Sequence, residues 1–227
     1  MLASWGVDFD DVDVETRPEA KADLVRLGVP GVPAVAVRGR AVHGWNPAAV
    51  AALCGVPYAE FGRLPPGELV ARLDRVLAAT ARVMRQVPAA HLGMTHPGRD
   101  RSVRQLGYHV FRLALAFRDA RVEGGLREAW LQEQAPPSLV DGADVAAYGE
   151  EVRRALGRCF ADPSAAAGEL DTYYGRQTAH ALLERTTWHA AQHLRQLYAF
   201  LGRMTIQPVE PLGDEDWRGL PLPAEIW

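Results

Sequence analysis

After residue 65, apolar residues recur at helical spacing, which predicts a bundle of long helices. The first helix is predicted over residues 66–86, with its apolar face at Leu69, Leu73, Val76, Leu77 and Val83. A second helix is predicted to start after the capping residue Ser102, with apolar positions at Leu106, Val110, Leu113 and Phe117. A third helix is expected over 143–161, and a fourth over 176–204. The fourth segment contains no proline, and its only glycine is near its end, so one continuous helix is favoured.

The first 57 residues follow a different pattern, with short apolar runs separated by turn residues. The predicted order is strand, helix, strand, strand, helix, at residues 7–14, 18–27, 34–37, 41–43 and 47–54. Asn46 is suited to cap the last helix, and Gly55 follows its end. This segment is therefore predicted to be a small α/β module, residues 1–57, joined by a linker, residues 58–65, to a bundle over 66–204.

Residues 205–227 are rich in proline and glycine and are predicted to form an extended tail without a fifth helix. The tail contains Trp217 and Trp227. Two tryptophans predict packing on a surface, either between the modules or at a homodimer contact. A partly ordered terminus is the alternative.

Composition narrows the functional classes. Hydrophobic residues make up 48% of the 227 residues and charged residues 23%, which is typical of a soluble globular protein. The net charge of −3 offers no basic surplus for a phosphate backbone, so nucleic acid is not an expected partner. No apolar run approaches the roughly 20 residues that span a membrane, and no signal peptide is visible. The two cysteines, Cys54 and Cys159, form no C-x-x-C motif, which fits a cytoplasmic location.

The strongest chemical signal is the pair His189 and His193 in the fourth predicted helix. Residues four apart lie one turn apart on the same face, so the two imidazoles can share a metal ion if a third ligand is supplied. Zinc peptidases use the same spacing with a glutamate after the first histidine as general base, but Ala190 stands there in this chain. A half-buried histidine pair that bonds only to its neighbours is the alternative.

His109 is the candidate third ligand. It lies beside the apolar stripe of the second predicted helix and is expected to point into the bundle, where a histidine needs a polar partner or a metal. His91 and His96 lie among prolines and glycines and are expected in a loop. His180 is thirteen residues before His193, about 220° around the helix and off the ligand face.

One histidine in the sequence LGYH on the second helix, followed by the H-x-x-x-H pair on the fourth, forms an ordered pattern after the first helix. In this order and spacing the region over residues 65–204 resembles the DinB/YfiT-like superfamily of four-helix-bundle metalloproteins. The resemblance implies that His109, His189 and His193 bind one divalent metal ion, for which imidazole ligands favour zinc or nickel. It also implies a mainly α fold for the bundle.

The run LGVPGVPAVAV at residues 27–37, followed by Gly39 and by GWNP at 44–47, resembles the C-terminal part of a glutaredoxin or thioredoxin fold. The resemblance implies a cis bond before Pro33. It also implies that the backbone at Val32 and Pro33 can bind a low-molecular-weight thiol. The first strand, the C-x-x-C turn and most of the following helix of that fold are missing. The module is therefore a partial, truncated one, and a gene start assigned too late is an open alternative.

Cys54 does not replace the missing redox cysteine. It is predicted near the carbonyl end of a helix, where the helix dipole disfavours a thiolate. We therefore interpret Cys54 as a small core residue.

The combined pattern predicts a metal-dependent enzyme that acts on a small molecule. The superfamily resemblance implies either hydrolysis or transfer chemistry with a low-molecular-weight thiol. A non-catalytic metal-binding or protein-interaction module is the alternative, and a closed four-ligand site would favour it. No general base is identified. Gln196, about one turn from His193, is predicted to reach a metal-bound water, whereas Tyr108 and Trp188 are predicted to face away from the ligands and pack.

Overall fold

The computed structural model describes residues 2, 5–14, 16–29, 31–44, 46–57, 64–97, 99–220, 222 and 226. The chain divides into two units, Met1–Phe61 and Gly62–Trp227. Most of the predicted linker, and Pro30, Trp45 and Trp227 among the residues singled out above, lie outside the described residues. Within the described part of the chain, no helix combines the length and the apolar character needed to cross a membrane.

The first unit contains two helices and a hairpin: α1 (Pro18–Arg26), β1 (Ala34–Val37), β2 (Arg40–His43) and α2 (Pro47–Cys54). β1 and β2 pair antiparallel, with Val37 opposite Arg40. The two turn residues between them, Arg38 and Gly39, both have positive φ, the conformation that matches the twist of a two-residue hairpin. Asn46 caps α2 by accepting a hydrogen bond from the backbone of Ala49 at 3.1 Å, as predicted.

The predicted first strand is wrong. Residues 7–13 form neither strand nor helix, and Phe9 is 54% exposed. Four aspartates at positions 8, 10, 11 and 13 interrupt the apolar residues, and aspartate is depleted in strands. A strand also needs a hydrogen-bonded neighbour, and the sheet of the described residues in this unit consists of β1 and β2 alone.

The second unit is built on four long helices, which confirms the predicted bundle. They are α3 (Pro66–Gln86), α4 (Val103–Glu123), α6 (Gly142–Phe160) and α7 (Ala179–Arg203). α3 and α4 each pack mainly against α6 and α7. The predicted apolar faces are buried, and the largest fully buried side chains include Phe111, Phe117 and Phe200 at the centre of the bundle core.

Close helix contacts require small residues at particular positions. A Cβ on Gly142, at the start of α6, would lie 2.0 Å from the backbone oxygen of Met84. A Cβ on Gly149 would lie 2.2 Å from the ring of Phe111. The absence of a side chain at these two positions lets α6 approach α3 and α4.

Short elements that the periodicity did not predict connect the helices. They are 3₁₀ helices at Ala89–His91 and Pro163–Ala166, β3 (Gly125–Leu126), α5 (Glu128–Leu131), β4 (Glu169–Thr172), β5 (Gln177–Thr178) and α8 (Asp214–Trp217). β3 pairs parallel with β4, and β4 pairs antiparallel with β5. The tail is thus interrupted by one helical turn, α8, where an extended chain was predicted.

The fourth bundle helix begins later than predicted. Gln177 and Thr178 pair with β4, so the helix starts at Ala179, and the Thr178 side chain caps it by accepting from the Ala181 backbone at 3.1 Å. The strand pairing satisfies backbone groups that an extra helical turn would otherwise have bonded.

Candidate metal centre

Two capped helices carry the three candidate ligands. Ser102 caps α4 by accepting from the Gln105 backbone at 3.3 Å, and His109 follows on the buried face of that helix. His189 and His193 lie one turn apart on α7, which packs against α4. The helical spacing therefore aligns the pair, and helix packing brings His109 to it.

The three rings converge. The ring centroids are 4.7 Å apart for His189 and His193, 5.0 Å for His109 and His193, and 5.9 Å for His109 and His189. One nitrogen from each ring lies within 4.8 Å of the others. Three nitrogens that each lie about 2.1 Å from one metal are about 3–4 Å from one another. Small movements of the three histidine rings would therefore bring their nitrogens to ligation distance.

The environment of the rings fits a metal ligand set. His109 is 2% exposed and His193 is 9% exposed, and His189 is half-buried. His193 places Nδ1 2.7 Å from Oε1 of Gln196. Its other nitrogen, Nε2, is buried and has no hydrogen-bond partner among the described residues. A buried polar atom without a partner is costly in a native protein, and a metal ion at this position would satisfy it.

Burial determines the protonation of the cluster. Loss of hydration lowers the pKa of His193 to about 4, although the bond to Gln196 opposes this shift. Burial also lowers the pKa values of His109 and His189 well below their ordinary value, with a further contribution from His193. All three imidazoles are therefore neutral at pH 7, and a neutral imidazole is the form that binds a metal.

Arginines flank the cluster. The charges of Arg101 and Arg185 lower the pKa values of both His109 and His189. Arg185 lies one turn before His189 and is 8% exposed. Its Nη2 donates to the Tyr173 hydroxyl at 3.0 Å, and its guanidinium lies 4.8 Å from the centroid of the Tyr174 ring. This positive charge beside the rings favours an anionic ligand at the centre.

Two residues next to the ligands differ in their contacts. Trp188 was predicted to face away, but its ring stacks on His189, with centroids 5.6 Å apart and planes inclined by 30°. Tyr108 packs as predicted, stacked on Tyr148 at 5.1 Å. The Trp188 prediction was wrong because side-chain torsions let a large indole fold back over its neighbour on the helix surface.

An ion-pair network around the buried Arg112, which no local sequence pattern predicted, holds the loop after α5 to α4. Arg112 bonds to both carboxylate oxygens of Glu133, at 2.7 and 3.0 Å, and to Asp119 at 3.0 Å. Gln105 accepts from the Ala135 backbone at 2.9 Å and donates to the Glu133 backbone oxygen at 3.2 Å. Paired contacts of this kind fix the face of α4 that carries Tyr108, the residue before His109.

The other candidate histidines do not join the centre. His180 places Nε2 2.8 Å from the Leu64 backbone oxygen, off the ligand face as predicted. His96 lies in a loop, whereas His91 ends a 3₁₀ helix and not the loop that was predicted. The contact of Gln196 with a metal-bound water stays a prediction; its side-chain carbonyl oxygen lies 2.7 Å from Nδ1 of His193.

The proposed thiol-binding pair lies in the first unit. The Val32–Pro33 peptide bond is cis, as predicted, and Val32 is 55% exposed. The Pro33 carbonyl accepts from the Gly44 backbone at 2.7 Å, across the ends of the hairpin. Cys54 is half-buried at the end of α2.

Comparison with known proteins found a match to a solved structure and a match to a sequence-family model. A DinB-like protein of Bacillus subtilis has a solved structure that matches with a TM-score of 0.51 and 18% identity, over 63% of this chain and 95% of that one. The bundle has a DinB-like fold. The sequence model of the glutaredoxin family matches residues 1–42. No curated protein matches the chain. Both resemblances predicted from the sequence are therefore confirmed. For the bundle the solved structure confirms the fold, and for the N-terminal part the family model confirms the similarity in sequence.

Proposed function

We propose that this protein is a metal-dependent enzyme that acts on a small molecule through a divalent ion held by His109, His189 and His193. The main support for the proposal is the convergence of three imidazoles, two buried and one half-buried, one of which has a buried Nε2 without a partner among the described residues. Zinc and nickel are the metals that such a ligand set favours.

The ligand set supports catalysis over a purely structural metal. No cysteine, aspartate or glutamate of the described residues joins the three imidazoles in the cluster. Structural zinc sites are closed by four protein ligands, whereas catalytic sites use three and leave a position open. A metal bound here would supply Lewis-acid chemistry to a ligand at that open position.

The chain's own residues select that ligand by charge. The metal and the three neutral imidazoles carry a net positive charge, to which Arg101 and the buried Arg185 add. An anionic small molecule, or a thiol bound as its thiolate, would offset this charge. The enzyme is therefore a hydrolase of an anionic substrate or a transferase that uses a low-molecular-weight thiol.

The glutaredoxin match favours the thiol-dependent alternative. It covers Val32 and Pro33, the segment that binds thiols in glutaredoxin-like folds. Because the chain has no C-x-x-C, we propose that this segment contributes thiol recognition and not redox catalysis.

Metal content and affinity test the proposal. Purified protein should take up one zinc or nickel ion per chain, and His193→Ala should weaken binding at least 100-fold, because a ligand is lost. His96→Ala, which removes a half-buried loop histidine outside the cluster, is the control and should bind metal as the natural protein does. Equal affinity in all three proteins would exclude this centre.

A thiol competition separates the reaction classes. With cobalt as the bound metal, addition of a low-molecular-weight thiol should produce a sulfur-to-cobalt charge-transfer absorption band if the transferase assignment is correct. An unchanged spectrum together with hydrolysis of anionic esters or amides would favour the hydrolase instead. Stoichiometric metal with neither response would support the non-catalytic metal-binding module.

A further inference from the structure

The backbone carbonyl of Ile226, in the C-terminal tail, is bonded to the metal-centre helix. It accepts hydrogen bonds from Nε2 of Gln192 and Nε2 of Gln196, both at 2.8 Å. A carbonyl oxygen has two acceptor positions, so these two amides use both of them. Gln192 and Gln196 lie on either side of His193 in the sequence, and Gln196 contacts its ring.

These bonds fix the orientation of the Gln196 amide. A backbone carbonyl can only accept, so the amide must turn its NH₂ group toward Ile226 and its oxygen toward His193. The Gln192 amide is fixed in the same sense, because its oxygen accepts from Nη1 of Arg195 at 2.9 Å. The tail therefore determines which atom of Gln196 faces the histidine.

The amide orientation in turn fixes the histidine tautomer. Oε1 of Gln196 can only accept, so Nδ1 of His193, 2.7 Å away, must carry the ring hydrogen. Nε2 then keeps its lone pair, and this is the buried nitrogen without a partner among the described residues. If the amide rotated, its NH₂ would donate to Nδ1, the hydrogen would move to Nε2, and the lone pair needed for a metal would be lost.

We infer that the tail segment containing Ile226 is a positioning element for the metal centre, acting through Gln196 to hold His193 as its Nδ1–H tautomer. The effect on metal affinity rests on the proposed function, but the tautomer itself does not. In other proteins, removing a hydrogen bond to a metal-binding histidine lowers metal affinity by about 10–100-fold.

The tautomer can be read directly in metal-free protein. Histidine ¹⁵N spectra distinguish Nδ1–H from Nε2–H, and the full-length chain should show His193 as Nδ1–H at pH 7.5. In a chain that ends at Leu222, the Gln196 amide is free to rotate, and a mixed or Nε2–H tautomer is expected. The fold should persist in that shorter chain, because Arg72 holds the earlier tail through the backbone oxygens of Asp216 and Arg218.

Shortening the chain both with Gln196 and with Gln196→Glu separates an effect on the His193 tautomer from a general loss of stability. In Gln196→Glu both side-chain oxygens accept, so His193 keeps the Nδ1–H tautomer without help from the tail. Shortening the chain to Leu222 should lower zinc affinity about 10-fold with Gln196 present and less than about twofold in Gln196→Glu. An equal loss in both backgrounds, or a full-length chain with Nε2–H at His193, would overturn the inference.

The two proposals fail in different ways. A tautomer that changes as expected in a protein that binds no metal would contradict the metal centre and leave the positioning role of the tail standing. Tight zinc binding that depends on His109 and His189, with no response to shortening, would establish the centre and contradict the role of the tail.

Discussion

Buried neutral histidines make the metal-free protein sensitive to acid. The folded-state pKa of His193 is about 4, below its ordinary value of 6.5. Above pH 6.5 neither the folded nor the unfolded state protonates this ring. Between 6.5 and 4 the unfolded chain binds the proton and the folded one does not, so the free energy of unfolding falls as the pH falls, and the loss levels off below 4.

The size of the effect follows from the pKa difference. At about 1.36 kcal/mol per pH unit, His193 alone removes about 2 kcal/mol between pH 7.5 and 5.0, and roughly 3 kcal/mol by pH 4. His109 and His189 act in the same direction, because their pKa values are also lowered by burial. Such a loss is a large share of the stability of a typical domain.

Urea unfolding in the presence of a chelator measures this loss. The pH dependence of the natural protein should exceed that of His193→Gln by about 2 kcal/mol between pH 7.5 and 5.0, because glutamine does not titrate. His96→Gln controls for the loss of a histidine outside the cluster. Identical pH profiles for the natural protein and His193→Gln would refute the assignment of a buried, neutral ring.

Metal binding should stabilise the folded protein. At a free zinc concentration of about 100 times the Kd, binding to the folded state alone adds about 2.7 kcal/mol at neutral pH. This increase in the free energy of unfolding should become smaller as the pH falls, because protons compete with zinc for the histidines. At the same zinc concentration His193→Gln should show little increase.

Three further predictions concern the fold and the first unit. Gly142→Ala should destabilise the protein by about 2 kcal/mol or more in urea unfolding, because the new Cβ meets the Met84 carbonyl; Gly157→Ala, in open space on the same helix, should be neutral or stabilising. Asp141→Ala should cost about 1 kcal/mol by removing the cap of α6, and Asp141→Asn should cost less. Disulfide reduction should be absent, since the chain has no C-x-x-C; activity that vanishes in Cys54→Ala would contradict this.

Local patterns predicted most of the bundle. The first helix runs over Pro66–Gln86 as predicted, and Ser102 caps the second. Both follow from interactions within a few residues along the chain, namely apolar periodicity and side-chain capping. The prediction of a strand over residues 7–14 was wrong because a strand depends on a hydrogen-bonded neighbour, and the local sequence does not specify that neighbour.

In the candidate site, too, the features that depend on local helical geometry could be predicted from the sequence. The i, i+4 spacing by itself determined that His189 and His193 share a helical face, and the position of His109 beside an apolar stripe predicted that it is buried. The same spacing places Arg185 one turn before His189, and it could have revealed this missed residue. These features could be predicted because helical geometry depends only on residues that are close along the chain.

Only the tertiary structure decided what surrounds the ligands. The bond from Gln196 to Ile226 spans 30 residues, and the ion pair between Arg112 and Glu133 spans 21. Neither follows from periodicity, because each depends on how a loop or tail returns to a helix. The sequence determined which side chains face the bundle interior. Packing decided which tautomer His193 adopts and which charges lie beside it, because both depend on atoms that are distant along the chain.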